Sequence, residues 1–256
     1  MGLKAVLATF GGDVWRSWRS VALWPYPALV YSLPHTGFTW LDYRKFCSAL
    51  KPGDFLLTRS DNYFLSNWAF SGTNFKHLAV YTGGVIGHLN PESRFIEKLT
   101  GLSVEYAHTG KGTARLHERT VTHAISEGVV CQDLGELLFH SDWVCAVRPW
   151  QDAGQQEIIV NTALQQVGKS YDFDFKLKRD KFYCTELGVY CVRAAAVTPP
   201  DFIKINTSLL GLLLPFSRFR TKAVLADSFI RHYPLVCVSL SCEKQVAESL
   251  RGRVHG

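Results

Sequence analysis

Residues 183–197 read Tyr183-Cys-Thr-Glu-Leu-Gly-Val-Tyr-Cys-Val-Arg-Ala-Ala-Ala-Val197. Apolar residues recur at helical spacing, and Pro199-Pro200 downstream cannot continue a helix, so the stretch predicts a helix over 183–197. Cys184 falls in its first turn, just behind Lys176, Lys178, Arg179 and Lys181. A thiol at a helix start feels unpaired backbone N–H groups, the positive end of the helix dipole and nearby cations. All three favour the thiolate, the nucleophilic form. Cys184 is therefore the candidate nucleophile and is expected to react fastest of the seven cysteines. Cys191, further along in an apolar stretch, reads as an inert core thiol.

Working outward, the chain alternates short strands and helices. Leu41–Leu50 has helical spacing and is closed by Lys51-Pro52-Gly53, a strong turn signal. Residues 54–59, 75–82, 119–125, 129–132, 143–148 and 235–240 predict strands. Residues 61–70, 133–139 and 155–167 predict helices, the last stopped by Gly168. Residues 85–118 are the least regular and read as an insertion. This order argues for an α+β fold, a small antiparallel sheet packed against helices, rather than a doubly wound sheet. The expected division is an N-terminal apolar arm and helix over 1–50, a core over 51–198, and a basic C-terminal extension over 199–256 packed on that core.

Composition narrows the class. At 256 residues, 47% hydrophobic and 20% charged, the chain has ample material for a core. Its odd set of seven cysteines, without a CxxC pair, suits free thiols better than a disulfide framework. Residues 1–168 carry 14 basic and 14 acidic side chains, and residues 169–256 carry 14 and 8, so the whole +6 lies in the last third. No interleaved aromatic-basic motif accompanies it, so nucleic acid is not an expected partner. The longest uncharged stretch, Ser20–Leu41, holds Pro25, Pro27 and Pro34, which would break a spanning helix. It reads as an apolar, irregular arm that packs on the protein or a partner, with a peripheral membrane or particle contact through residues 20–41 as the alternative. No standard signal peptide or transmembrane helix is visible. The cytoplasm, or carriage in a particle such as a phage virion, is the expected location.

Two further motifs fail on spacing. His108-Thr-Gly-Lys-Gly-Thr113 lacks the glycine and the hydroxyl that a phosphate loop needs, with Glu105 and Gly112 in those places. Cys237, Cys242 and His232 lack the paired spacing of a zinc site. No metal and no cofactor is expected.

Five motifs occur in one order: Pro52-Gly-Asp-Phe-Leu-Leu57; Lys76-His-Leu-Ala-Val-Tyr81 with Gly83; Val121-Thr-His-Ala-Ile-Ser-Glu-Gly-Val129; Gly168-Lys-Ser-Tyr-Asp-Phe173; and Tyr183-Cys-Thr-Glu-Leu187. Together they resemble the permuted branch of the NlpC papain-like superfamily, the YiiX/YebB-like cysteine hydrolases. The likeness covers residues 52–190, with weaker similarity at Thr198-Pro-Pro-Asp201.

The resemblance implies a permuted papain-like (NlpC-type) fold, with Cys184 as nucleophile and His77 as its general base. The backbone N–H of Cys184 would form part of an oxyanion hole. Where the family most often has glutamate, this chain has His123, which would orient His77; His88 is the rival for that third place. Tyr183 and Asp172, within the same motifs, are the expected substrate-binding residues. The implied reaction is hydrolysis of an amide through an acyl-enzyme, with a peptide of bacterial peptidoglycan as leading substrate. A lipid-directed thioesterase or acyltransferase is the alternative, because lecithin-retinol-acyltransferase-like proteins share the arrangement; residues 20–41 and 209–216 would then be interfacial. A catalytically silent module of a phage or secretion particle is the third reading.

Overall fold

The computed structural model describes residues 22–23, 29–30, 37–60, 73–84, 119–125, 127–172, 180–206 and 220–251. The elements expected over 61–70, 85–118 and 209–216 lie outside these residues. The first strands, β1 (Ala22–Leu23) and β2 (Leu29–Val30), pair with each other. Helix α1 (Trp40–Ala49) follows, opened by a capping box in which Thr39 and Asp42 satisfy each other's backbone N–H groups.

The centre is a six-stranded antiparallel sheet of β3 (Phe55–Arg59), β4 (His77–Gly83), β5 (Thr120–Ile125), β6 (Gly128–Asp133), β7 (Trp143–Val147) and β12 (Leu235–Val238). Its order is β12-β7-β3-β4-β5-β6, with every pair antiparallel. Helices cover both faces. Leu57, Leu78, Val80, Cys145 and Val147 meet α3 (Ala153–Gln165), α4 (Cys184–Ala194), α5 (Ala226–His232) and α6 (Glu243–Arg251) in one core. Leu56, Ala79, Val121 and Val144 meet α1 and α2 (Leu134–Phe139) in the other. Strands buried on both faces read as continuous apolar runs rather than strict alternation. Phe55, Leu56 and Leu57 are all fully buried for that reason.

A parallel ribbon of β8 (Ser170–Tyr171) and β9 (Lys181–Phe182) leads into α4. Gly168, at φ +90°, provides the left-handed turn that ends the chain's run out of α3. The hairpin β10 (Ile203–Asn206) and β11 (Arg220–Ala223) precedes α5. The C-terminal region supplies an edge strand, β12, and buries Phe229, Ile230, Val238, Cys242 and Val246 in the larger core.

Helix α4 ends earlier than the expected Val197. Ala196 takes φ +55°, and the N–H groups of Ala196 and Val197 bond back to the carbonyls of Arg193 and Val192. That is a Schellman closure without its usual glycine, so the sequence carried no sign of it. The strand expected over 235–240 also stops short, giving way to a 3-10 turn at Leu240–Cys242. All seven cysteines are free, and among the described residues no helix is long and apolar enough to cross a membrane.

Candidate active site

Cys184 opens α4. Its helix start is fixed by three contacts: the Tyr183 N–H donates to Glu186 Oε2 at 3.4 Å, the Thr185 hydroxyl donates to the Val224 carbonyl at 2.6 Å, and Phe182 is fully packed in the core. Gly188, one turn on, lets α4 lie close against β4. A Cβ there would stand 2.9 Å from Leu78 Cδ2, so a larger residue would force the Leu78 side chain to shift.

That close packing brings the thiol to the backbone around His77. Cys184 Sγ lies 3.8 Å from the Lys76 carbonyl oxygen. The backbone N–H groups of Leu78, Thr185 and Cys184 itself favour the thiolate.

Burial works against these donors. Cys184 is 9% exposed, and desolvation pushes its pKa above the usual thiol value despite three N–H groups pulling the other way. The helix-start N–H groups do favour the thiolate, and removing the sulfur from water outweighs them. Lys176, Lys178 and Arg179 lie outside the described residues. Cys191 is fully buried and its pKa is pushed up, which is the behaviour of a core thiol.

His77 is the first residue of β4 and is half-buried. Its Nε2 lies 2.8 Å from His123 Nδ1, with the two rings at 71°. His123 sits in β5, between β4 and β6, and is only 3% exposed, so it is no edge-strand surface residue. Packing around the His77 ring lowers its pKa to about 4, so the imidazole is neutral at neutral pH. Among the described residues no carboxylate raises that value. His88 lies outside the described residues.

Asp172 and Tyr183 are both buried, at 2% and 3% exposure, and both act electrostatically on Glu186 or receive its influence. Burial, reinforced by Asp172, pushes the Glu186 carboxyl up to about 8. Sequence reasoning passed over Glu186 because it reads as an ordinary third residue of a helix, the usual place for a carboxylate that reaches back to the cap. It also missed the Lys76 carbonyl, since a backbone atom leaves no compositional trace. The structure sets the Cys184 thiol against the backbone that flanks His77, and pairs the His77 imidazole with that of His123. That set can carry nucleophilic acyl transfer.

A family model described as permuted papain-like amidase enzyme, YaeF/YiiX, C92 family, matches residues 49–239. Among solved structures, the chain is similar to the crystal structure of the metalloprotein yiiX from Escherichia coli O157:H7, DUF1105. The identity is 15% and the TM-score 0.50, over 74% of this chain and 96% of that one. At that identity the likeness speaks for the fold. A comparison with curated proteins gives no match. The description of that structure names a metal. Among the described residues here, no three His, Cys, Asp or Glu side chains gather into a group able to hold one.

Proposed function

This chain belongs to the permuted papain-like amidases of the YaeF/YiiX family, and from that premise we propose that it cleaves a peptide amide of the bacterial cell wall through a Cys184 acyl-enzyme. Membership makes it a cysteine hydrolase acting on amides. The cell-wall substrate rests on the motif resemblance to NlpC-type enzymes.

The observation that carries the residue roles is the pairing of His77 Nε2 with His123 Nδ1, next to a strand backbone that touches the Cys184 thiol. Nε2 is occupied by that bond, so Nδ1 of His77 is the atom that takes the thiol proton. It is basic only if Nε2 carries the ring proton and donates it to His123 Nδ1, which puts the His123 proton on its own Nε2.

The reaction then balances simply. Sulfur attacks the amide carbon as His77 accepts the thiol proton, and the developing oxyanion is stabilised by helix-start N–H groups. The C–N bond breaks as His77 returns the proton to the leaving amine. Water, activated by the same imidazole, cleaves the thioester and regenerates the thiol. With a neutral thiol and a neutral imidazole at rest, proton transfer accompanies attack rather than preceding it.

The test is release of new amino groups from purified peptidoglycan by the wild type and by Cys184→Ala. Release that depends on Cys184 is expected. Release of fatty acid from phosphatidylcholine vesicles instead, with none from peptidoglycan, would move the substrate to lipid.

A further inference from the structure

We infer that Asp227, in the C-terminal region, is a positioning residue of the catalytic site, holding the segment that carries the Lys76 carbonyl and His77 against the Cys184 thiol. This rests on Cys184 and His77 being the reacting pair.

Residues 73–76 form a short turn that enters β4. Two backbone N–H groups in it, Asn74 and Phe75, donate to the two oxygens of the Asp227 carboxylate, at 2.8 and 2.7 Å. Asp227 is 8% exposed and sits in the first turn of α5, far along the chain. From inside the turn, Lys76 Nζ donates to the carbonyl and the hydroxyl of Thr73, the latter at 2.9 Å. From the sheet side, the Lys76 N–H donates to the Thr58 carbonyl at 3.0 Å. The next atoms along the chain are the ones that matter: the Lys76 carbonyl, 3.8 Å from the thiol, then His77, then the Leu78 N–H, which favours the thiolate.

The Asp227 carboxylate bonds this turn twice from another element, and charge-assisted bonds to backbone N–H groups are about twice as strong as neutral ones. A carboxylate accepts from both donors at once. An amide does not, because its NH2 would face an N–H. Asp227→Asn therefore releases one end of the clamp while keeping the size of the side chain. A displacement of about 1 Å at a reacting group can cost around a hundredfold in rate.

The experiment compares Asp227→Asn with Asp133→Ala. The latter removes a carboxylate that likewise accepts two backbone N–H bonds, but at the start of α2. Per folded molecule, Asp227→Asn is expected to lower kcat by roughly ten- to a hundredfold with KM little changed. It should also move the pH dependence of Cys184 alkylation upward, because a displaced strand start leaves the Leu78 N–H less able to favour the thiolate. Asp133→Ala should leave both unchanged. Equal behaviour of the two variants would overturn the inference. Should Asp227→Asn fail to fold, amide hydrogen exchange of the wild type decides: the Asn74 and Phe75 N–H groups should be protected as β4 is, and exchange at the rate of free peptide would overturn it. An active Cys184→Ala would instead overturn the underlying assignment, whatever Asp227 does.

Discussion

His77 and His123 pair ring to ring across neighbouring strands, Nε2 to Nδ1 at 2.8 Å, although the sheet register sets His123 opposite Ala79. They are diagonal neighbours on one face. At about 7–8 Å between backbones, a diagonal is too wide for two short side chains and within reach of two rings. A glutamate in the same place reaches as far, but brings a charge. The histidine orients the base without bringing a charge, and among the described residues burial is what lowers the His77 pKa, to about 4.

The first prediction follows from that absence of charge. His123→Ala should lower kcat by roughly ten- to a hundredfold, less than loss of His77, which should cost two to four orders of magnitude. His123→Glu should keep or raise activity and lift the acid limb of the rate profile from near pH 4 toward the usual imidazole range. Unchanged limbs in His123→Glu, read from kcat/KM against pH, would show that residue 123 does not act on the base.

A second prediction concerns acid. The folded pKa of His77 is lowered from 6.5 to about 4, so folding favours the neutral ring. Its contribution to stability is fully present above the unfolded value and is lost as pH falls through about 4. Urea midpoints should therefore fall between pH 6.5 and 4 in the wild type, and by less in His77→Phe. Identical pH dependence in the two proteins would contradict a His77 ring held neutral by its packing.

The third prediction separates reactivity from exposure. Cys47 is half-buried while Cys184 is buried with a raised pKa, so a small indiscriminate reagent meets Cys47 readily. An acyl-type electrophile, which the helix-start N–H groups can hold, should label Cys184 first, and His77→Ala should abolish that selectivity. Mass spectrometry of the labelled peptides gives the answer. Label that stays on Cys47 in both proteins would remove the base-assisted mechanism.

The fourth prediction concerns the head of the sheet. Asp54 is fully buried and accepts from Arg148 Nε and Nη2 at 2.8 and 2.7 Å, and from the Lys51 N–H at 2.8 Å. The Arg148 guanidinium also lies 4.8 Å above the Trp150 ring. Removing one partner strands the other, so Arg148→Met should cost about 3–5 kcal/mol in denaturant unfolding. The enzyme that remains folded should keep its kcat. A loss under 1 kcal/mol would mean that water reaches the carboxylate.

Much of this protein is determined by local sequence. Turn residues bound strands close to those observed at 55–59 and 77–83, helical spacing marks a helix that covers 184–194, and Cys184 at a helix start and His77 within a strand are legible from residue order alone. These are short-range properties, carried by backbone preferences and side-chain periodicity. The tertiary structure decided what depends on contacts far along the chain. Register made His77 and His123 partners. Desolvation outweighed the effect of the helix start on the thiol, because burial is a property of everything packed around it. The Schellman end of α4, made without glycine, and the clamp from Asp227 to the Asn74 and Phe75 N–H groups are equally absent from local pattern. A backbone donor looks the same in every sequence, and only the fold says which carboxylate it meets.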